Sequence, residues 1–126
     1  MQVKRVRIAW PAGEIFALLS ATPTATALCA ALPIESAANT WGEEVYFFVP
    51  VKAKLEPDAR QVLDPGAVCF WVEGSSLALP FGPTPVSRAN ECRLVTKVNV
   101  LGRFEGDAGL LAAVRDGDKI RVETVN

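Results

Sequence analysis

The 126-residue chain, half of it apolar and with a formal charge of −1, has the length of one domain and the composition of a globular one. Its basic residues are scattered, so no stripe is available for phosphate contacts and nucleic acid is not an expected partner. The absence of histidine excludes Ser-His-Asp and Cys-His nucleophile pairs and any His-ligated zinc or haem.

In chain order, Val6, Ile8 and Trp10 alternate with Arg5 and Arg7, the period-two pattern of a half-buried strand. Pro11-Ala12-Gly13 turns into a second strand over residues 14–20, apolar on both faces and so expected to be covered on each. Residues 15–34 carry no charge and follow Lys4, Arg5 and Arg7, which resembles a leader. The interruption at Trp10 to Glu14, the hydroxyls and Pro23 argue against it, and neither a cleaved signal nor a membrane span is expected. Thr22 instead caps a helix with Pro23 in its first position. Ala25, Leu28, Cys29 and Leu32 form its apolar stripe, and Pro33 ends it.

Strands resume at Ile34. Val45-Tyr46-Phe47-Phe48-Val49 is strand by composition, with Tyr46 read as core. Asp64-Pro65-Gly66 has the residues of a type II turn, leading to a strand over residues 67–72, and Glu73 to Ser76 turns into another over 77–81. The irregular stretch from Gly82 to about Arg93 has the length of a binding loop. Residues 95–105 form a long strand with a bend or bulge at Gly102. Asp107 then caps a second short helix, with Leu110, Leu111 and Val114 inward and Gly117 at its end, and residues 119–125 make the last strand. Two helices cannot cover both faces of an open eight-stranded sheet. The expectation is therefore a mainly β fold, a closed eight-stranded barrel with a short helix over each mouth.

Cys29, Cys69 and Cys92 lie far apart and match no metal-ligand spacing. They read as small buried hydrophobes in a reducing cytoplasm, with no metal and no cofactor expected.

Two segments carry a resemblance to a known family. They are Asn39-Thr40-Trp41-Gly42-Glu43-Glu44-Val45-Tyr46-Phe47 and Phe81-Gly82-Pro83-Thr84-Pro85-Val86-Ser87. With the Asp64-Pro65-Gly66 turn and Val98-Asn99-Val100-Leu101-Gly102, they resemble a prokaryotic family of cyclophilin-like proteins, mostly uncharacterised, over nearly the whole chain. The resemblance implies one cyclophilin-like domain, residues 1–126, built as a barrel capped by two helices. True cyclophilins catalyse prolyl isomerisation with an arginine that hydrogen-bonds the prolyl nitrogen beside an apolar pocket. Here the comparable stretch, residues 34–48, has no arginine or lysine, and Thr40 and Trp41 stand about where the arginine would be. A hydroxyl or carboxylate does not replace a fixed cationic donor at a nitrogen losing its amide resonance.

Glu43 and Glu44 look like an acid/base pair, but neighbouring strand residues point to opposite faces. One at most enters a site, and Glu43 is assigned to it. Trp41, Trp71 and Phe81 either floor a groove or fill the barrel, and at least two of the three are expected inside. Thr84 and Ser87 either belong to an anion-binding nest or form a stiff corner that tethers a strand end. Arg60 is suggested as a substitute cation. The first expectation is a binding module that takes a small molecule or short peptide at a groove formed by Thr40, Trp41, Glu43, Phe81, Thr84 and Ser87. The second is a weak prolyl isomerase. The third is an assembly protein that associates through a barrel face, with its oligomeric state left open.

Overall fold

The amino-terminal alternation becomes a hairpin. In the computed structural model, which describes residues 4–125, β1 (Lys4–Trp10) pairs antiparallel with β2 (Gly13–Leu19). Val6, Ile8, Trp10, Ile15, Ala17 and Leu19 are buried on its inner face. The outer face of β2 is covered in part by an arginine: the Arg5 guanidinium lies 4.3 Å from the Phe16 ring centre. Beside it, Arg7 pairs with Glu14 and Glu123.

Next comes α1 (Pro23–Ala31), where the Thr22 hydroxyl accepts from the Ala25 N–H at 3.1 Å as the N-cap. Ala25 and Leu28 join the main core, while Cys29 and Leu32 only flank it. After β3 (Ile34–Ala37) and β4 (Asn39–Thr40) come β5 (Glu44–Phe48), β6 (Arg60–Leu63), β7 (Ala67–Trp71) and β8 (Ser76–Pro80). The chain ends with β9 (Cys92–Glu105), a 3-10 helix (Ala108–Ala113) and β10 (Lys119–Thr124). Gly66 has φ +95° and Ala67 N–H donates to Asp64 O at 3.1 Å, as the type II turn requires. A register shift opposite Val68 and Cys69 places a bulge in β9 next to Gly102.

The expected closed eight-stranded barrel is not what forms. Ten antiparallel strands run in the order β3-β10-β1-β2-β9-β7-β8-β5-β4, with β6 paired to β9, and the ladder is open at β3 and β4. These ends are successive pieces of one segment. Between them, the Ala38 N–H donates to Asp118 O and the Ala38 carbonyl accepts from Gly117 N–H, each at 2.8 Å. Only beyond Ala38 does the segment switch partners, Asn39 facing Tyr46 and Thr40 facing Val45. The chain itself, and not a strand pair, bridges the two ends. The extra strands are short: β4 has two residues, and β6 is held by the first half of β9 across a register shift.

The second helix is a 3-10 turn whose Asp107 cap accepts from Gly109 N–H at 2.8 Å. Leu111 and Val114 are buried, but Leu110, expected inward, is 52% exposed. A repeat of three residues per turn aligns positions 111 and 114 and turns 110 away.

Two apolar clusters sit on opposite faces of the same strands. The main core takes Val45, Phe47, Val68, Phe70, Leu77, Leu79, Leu101 and Ile120. The other takes Leu63, Ala67, Cys69, Ala78, Leu94 and Val98, with Tyr46 and Trp71 packed against it. β7 and β8 are therefore apolar on both sides, and the outer side needs its own cover. Among the described residues, no helix is long and apolar enough to cross a membrane.

Candidate functional site

The cover over that outer cluster is incomplete. Glu44 and Tyr46 of β5, Trp71 of β7, Ala78 of β8, Leu94, Val95 and Val98 of β9, and Trp41 surround a cleft of about 250 Å³. Tyr46 and Trp71 meet edge to face, with ring centres 6.3 Å apart at 89°. Trp71 lies so close against the following turn that a Cβ on Gly74 would fall 2.2 Å from Trp71 Cε3.

Glu44 is the one charged group in the cleft wall. It is 6% exposed and has no ion pair among the described residues. Burial alone pushes its carboxyl up to about 7, because an apolar surround disfavours the ionised form. The Trp71 indole N–H is buried without a hydrogen-bond partner.

Local geometry explains why Trp41 and Glu44 meet there. The Trp41 N–H donates to Glu44 O at 3.0 Å, closing a tight turn through Gly42, whose φ is +59°. A side chain at Gly42 would be strained by that φ, and its Cβ would lie 2.9 Å from Thr84 Cα. The turn is thus pressed against the second motif segment. The Glu43 N–H donates to Pro83 O at 2.9 Å, and the Phe81 N–H to Glu43 O at 2.8 Å.

The structure thus joins the two motif segments but divides the expected site residues. Trp41 lines the cleft. Glu43, assigned to the pocket, is exposed and lies over Gly82; strand alternation gives the inward place to its neighbour. Thr40 donates to Asp116 from its N–H at 2.7 Å and its hydroxyl at 2.8 Å. Phe81 packs against the main core and borders a different depression with Pro65, Arg103 and Phe104.

Thr84 and Ser87 form the tethering corner. Ser87 Oγ accepts from Thr84 N–H at 2.9 Å and Arg93 N–H at 3.0 Å, while the Thr84 hydroxyl donates to Arg93 O. Their hydroxyls are taken up in fixing the start of β9. Arg60 lies in another depression, with Leu63, Asp64 and Arg103.

One further expectation is corrected. Of Trp41, Trp71 and Phe81, only Phe81 packs on the main core, because the tryptophans stand on the outer face. Tyr46, read as core, packs against the outer apolar cluster and also lines the cleft. Glu44 and Tyr46 were missed, although their i, i+2 spacing on β5 would have placed them on one face.

Cys69 and Cys92 are buried and Cys29 is half-buried, and all three are free. Burial raises each thiol, which works against a reactive thiolate. Among the described residues, no cluster of His, Cys, Asp and Glu could hold a metal ion.

A family model described as Cyclophilin-like matches residues 4–123. The chain belongs to the cyclophilin-like family. A solved relative agrees: the solution structure of the hypothetical protein AF2241 from Archaeoglobus fulgidus has a TM-score of 0.82 and 35% identity. That match covers 97% of this chain and 95% of the other. No curated protein matches the chain. In this cyclophilin-like chain the cleft wall combines aromatic faces with a carboxyl that burial pushes up to about 7.

Proposed function

We propose that this cyclophilin-like protein is a binding module whose aromatic cleft takes a small molecule or short peptide. The observation that carries this reading is the Glu44 side chain, 6% exposed, which lines an aromatic cleft and has no hydrogen-bond partner for its carboxyl among the described residues. Buried polar groups are normally hydrogen-bonded, and a ligand donor would supply the missing bond. The cleft volume suits a side-chain-sized group rather than a large cofactor.

The alternative of weak prolyl isomerase gains nothing from the cleft, because neither lysine nor arginine is among its lining residues. A protease-coupled isomerisation assay on a Xaa-Pro peptide is expected to run at the rate of buffer alone. The binding role is tested by thermal shift across a panel of metabolites and short peptides, since a ligand of the native state raises Tm. At least one compound is expected to do so, and Trp41→Ala is expected to abolish the shift. A melting temperature unmoved by the whole panel would overturn the proposal.

A further inference from the structure

The wall of the cleft says more about its occupant than the volume does. Two indoles and a phenol, Trp41, Trp71 and Tyr46, stand around a single charged side chain, the carboxyl of Glu44. The faces of aromatic rings carry negative charge density and attract cations, most strongly where water is excluded. A carboxylate in the same wall adds charge of the same sign. An anion meets repulsion from both, and a neutral apolar ligand leaves Glu44 buried and unpaired. A cation satisfies both at once.

We infer that, within the binding role proposed above, the cleft selects an organic cation: an alkylammonium group held between the aromatic rings and Glu44. The alkyl part lies on the apolar floor formed by Ala78, Leu94 and Val98. The charge complementarity is local and does not reflect the net charge of the chain, which is only −1.

Selection depends on the ionised carboxylate and therefore on pH. Tyr46, on the same strand as Glu44, lines the same wall. Cys69 on β7, held protonated by burial, feels the charges of both Glu44 and Arg60 of β6. Ala78 and Pro80 of β8, and Leu94, Val95 and Val98 of β9, contribute no titratable group. Cation binding therefore strengthens as the pH rises through the range in which Glu44 loses its proton.

The test uses two probes of the same shape, choline and its neutral carbon analogue 3,3-dimethylbutan-1-ol. Each is titrated into the full chain while the indole N–H signals of Trp41 and Trp71 are followed by NMR. At pH 8, choline is expected to bind at least about tenfold more tightly than the alcohol, the lower range of a desolvated cation–π contact joined to a carboxylate. The preference is expected to shrink at pH 6 and to disappear in Glu44→Gln, a near-isosteric change. Trp71→Phe, which keeps a smaller ring, is expected to weaken choline several-fold and serves as the second variant. Equal affinity for the two probes, or tighter binding of the alcohol, overturns the cation inference and leaves the binding role standing. Indole signals that neither probe moves at tens of millimolar overturn both.

Discussion

Asn99 and Glu44 are polar side chains buried in one sheet, at 0% and 6% exposure, yet their surroundings are opposite. Asn99 is fully bonded. Its Nδ2 donates to Thr24 Oγ1 and to Lys54 O, each at 2.9 Å, and its Oδ1 accepts from Glu56 N–H at 2.8 Å. Glu56 closes the network by accepting from the Thr24 N–H at 3.1 Å and from the Thr24 hydroxyl. This latch ties α1, the connection after β5 and the centre of β9. Glu44 has no such network. A buried polar group whose bonds are all supplied by the protein holds a scaffold together, whereas one left open carries an unrecovered desolvation cost that a ligand can relieve.

The largest expected effect falls on the latch. Asn99→Ala leaves the Glu56 N–H and the Lys54 carbonyl without their side-chain partner, while the Thr24 hydroxyl keeps its bond to Glu56, and is expected to cost roughly 2–3 kcal/mol in urea denaturation. A loss below about 1 kcal/mol would show that water or relaxation replaces the network.

Glu44 is expected to act in the other direction. Its carboxyl, ordinarily at 4.5, sits at about 7 in the folded state, so between these values the native chain binds more protons than the unfolded one. The stability contribution is present in full below the lower value and lost as pH rises through the upper. The loss amounts to about 3 kcal/mol by pH 8, at roughly 1.4 kcal/mol per pKa unit. Glu44→Gln is expected to remove this pH slope. After the cost of burying an unpaired amide, it is expected to gain about 1–2 kcal/mol at pH 8. A slope that survives in the variant would assign it to another group.

The smallest effect separates the corner from the cleft. Ser87→Ala removes the acceptor for Thr84 and Arg93 N–H groups and is expected to cost about 1 kcal/mol. Ligand shifts at Trp41 and Trp71 are expected to stay unchanged. A lost ligand response with normal melting would bring Ser87 into the site.

Much of the architecture was legible in local pattern. Alternation marked β1, Thr22-Pro23 marked the start of α1, and Asp64-Pro65-Gly66 marked the turn into β7. Each depends on backbone preferences acting over a few residues. The short strands escaped because β4 and β6 are too brief to carry a period. β6 exists only because the long β9 extends past β7 and offers it a free edge. The site was half legible. Alternation said that one of Glu43 and Glu44 must turn away, but which one depends on how the Gly42 turn seats against Thr84.

By itself, the sequence determined the mainly β class, the extent of the principal strands and helix starts, and the pairing of apolar with polar faces, because these follow from short-range sterics and side-chain period. Tertiary structure alone decided where the ladder stays open, that two tryptophans and the tyrosine share one outer cleft, and that Asn99 is bonded while Glu44 is not. Those outcomes join residues separated by tens of positions: Thr24 bonds to Asn99, and Trp41 lines one cleft with Trp71. They depend on which strands become neighbours, and no local window of the chain contains that information.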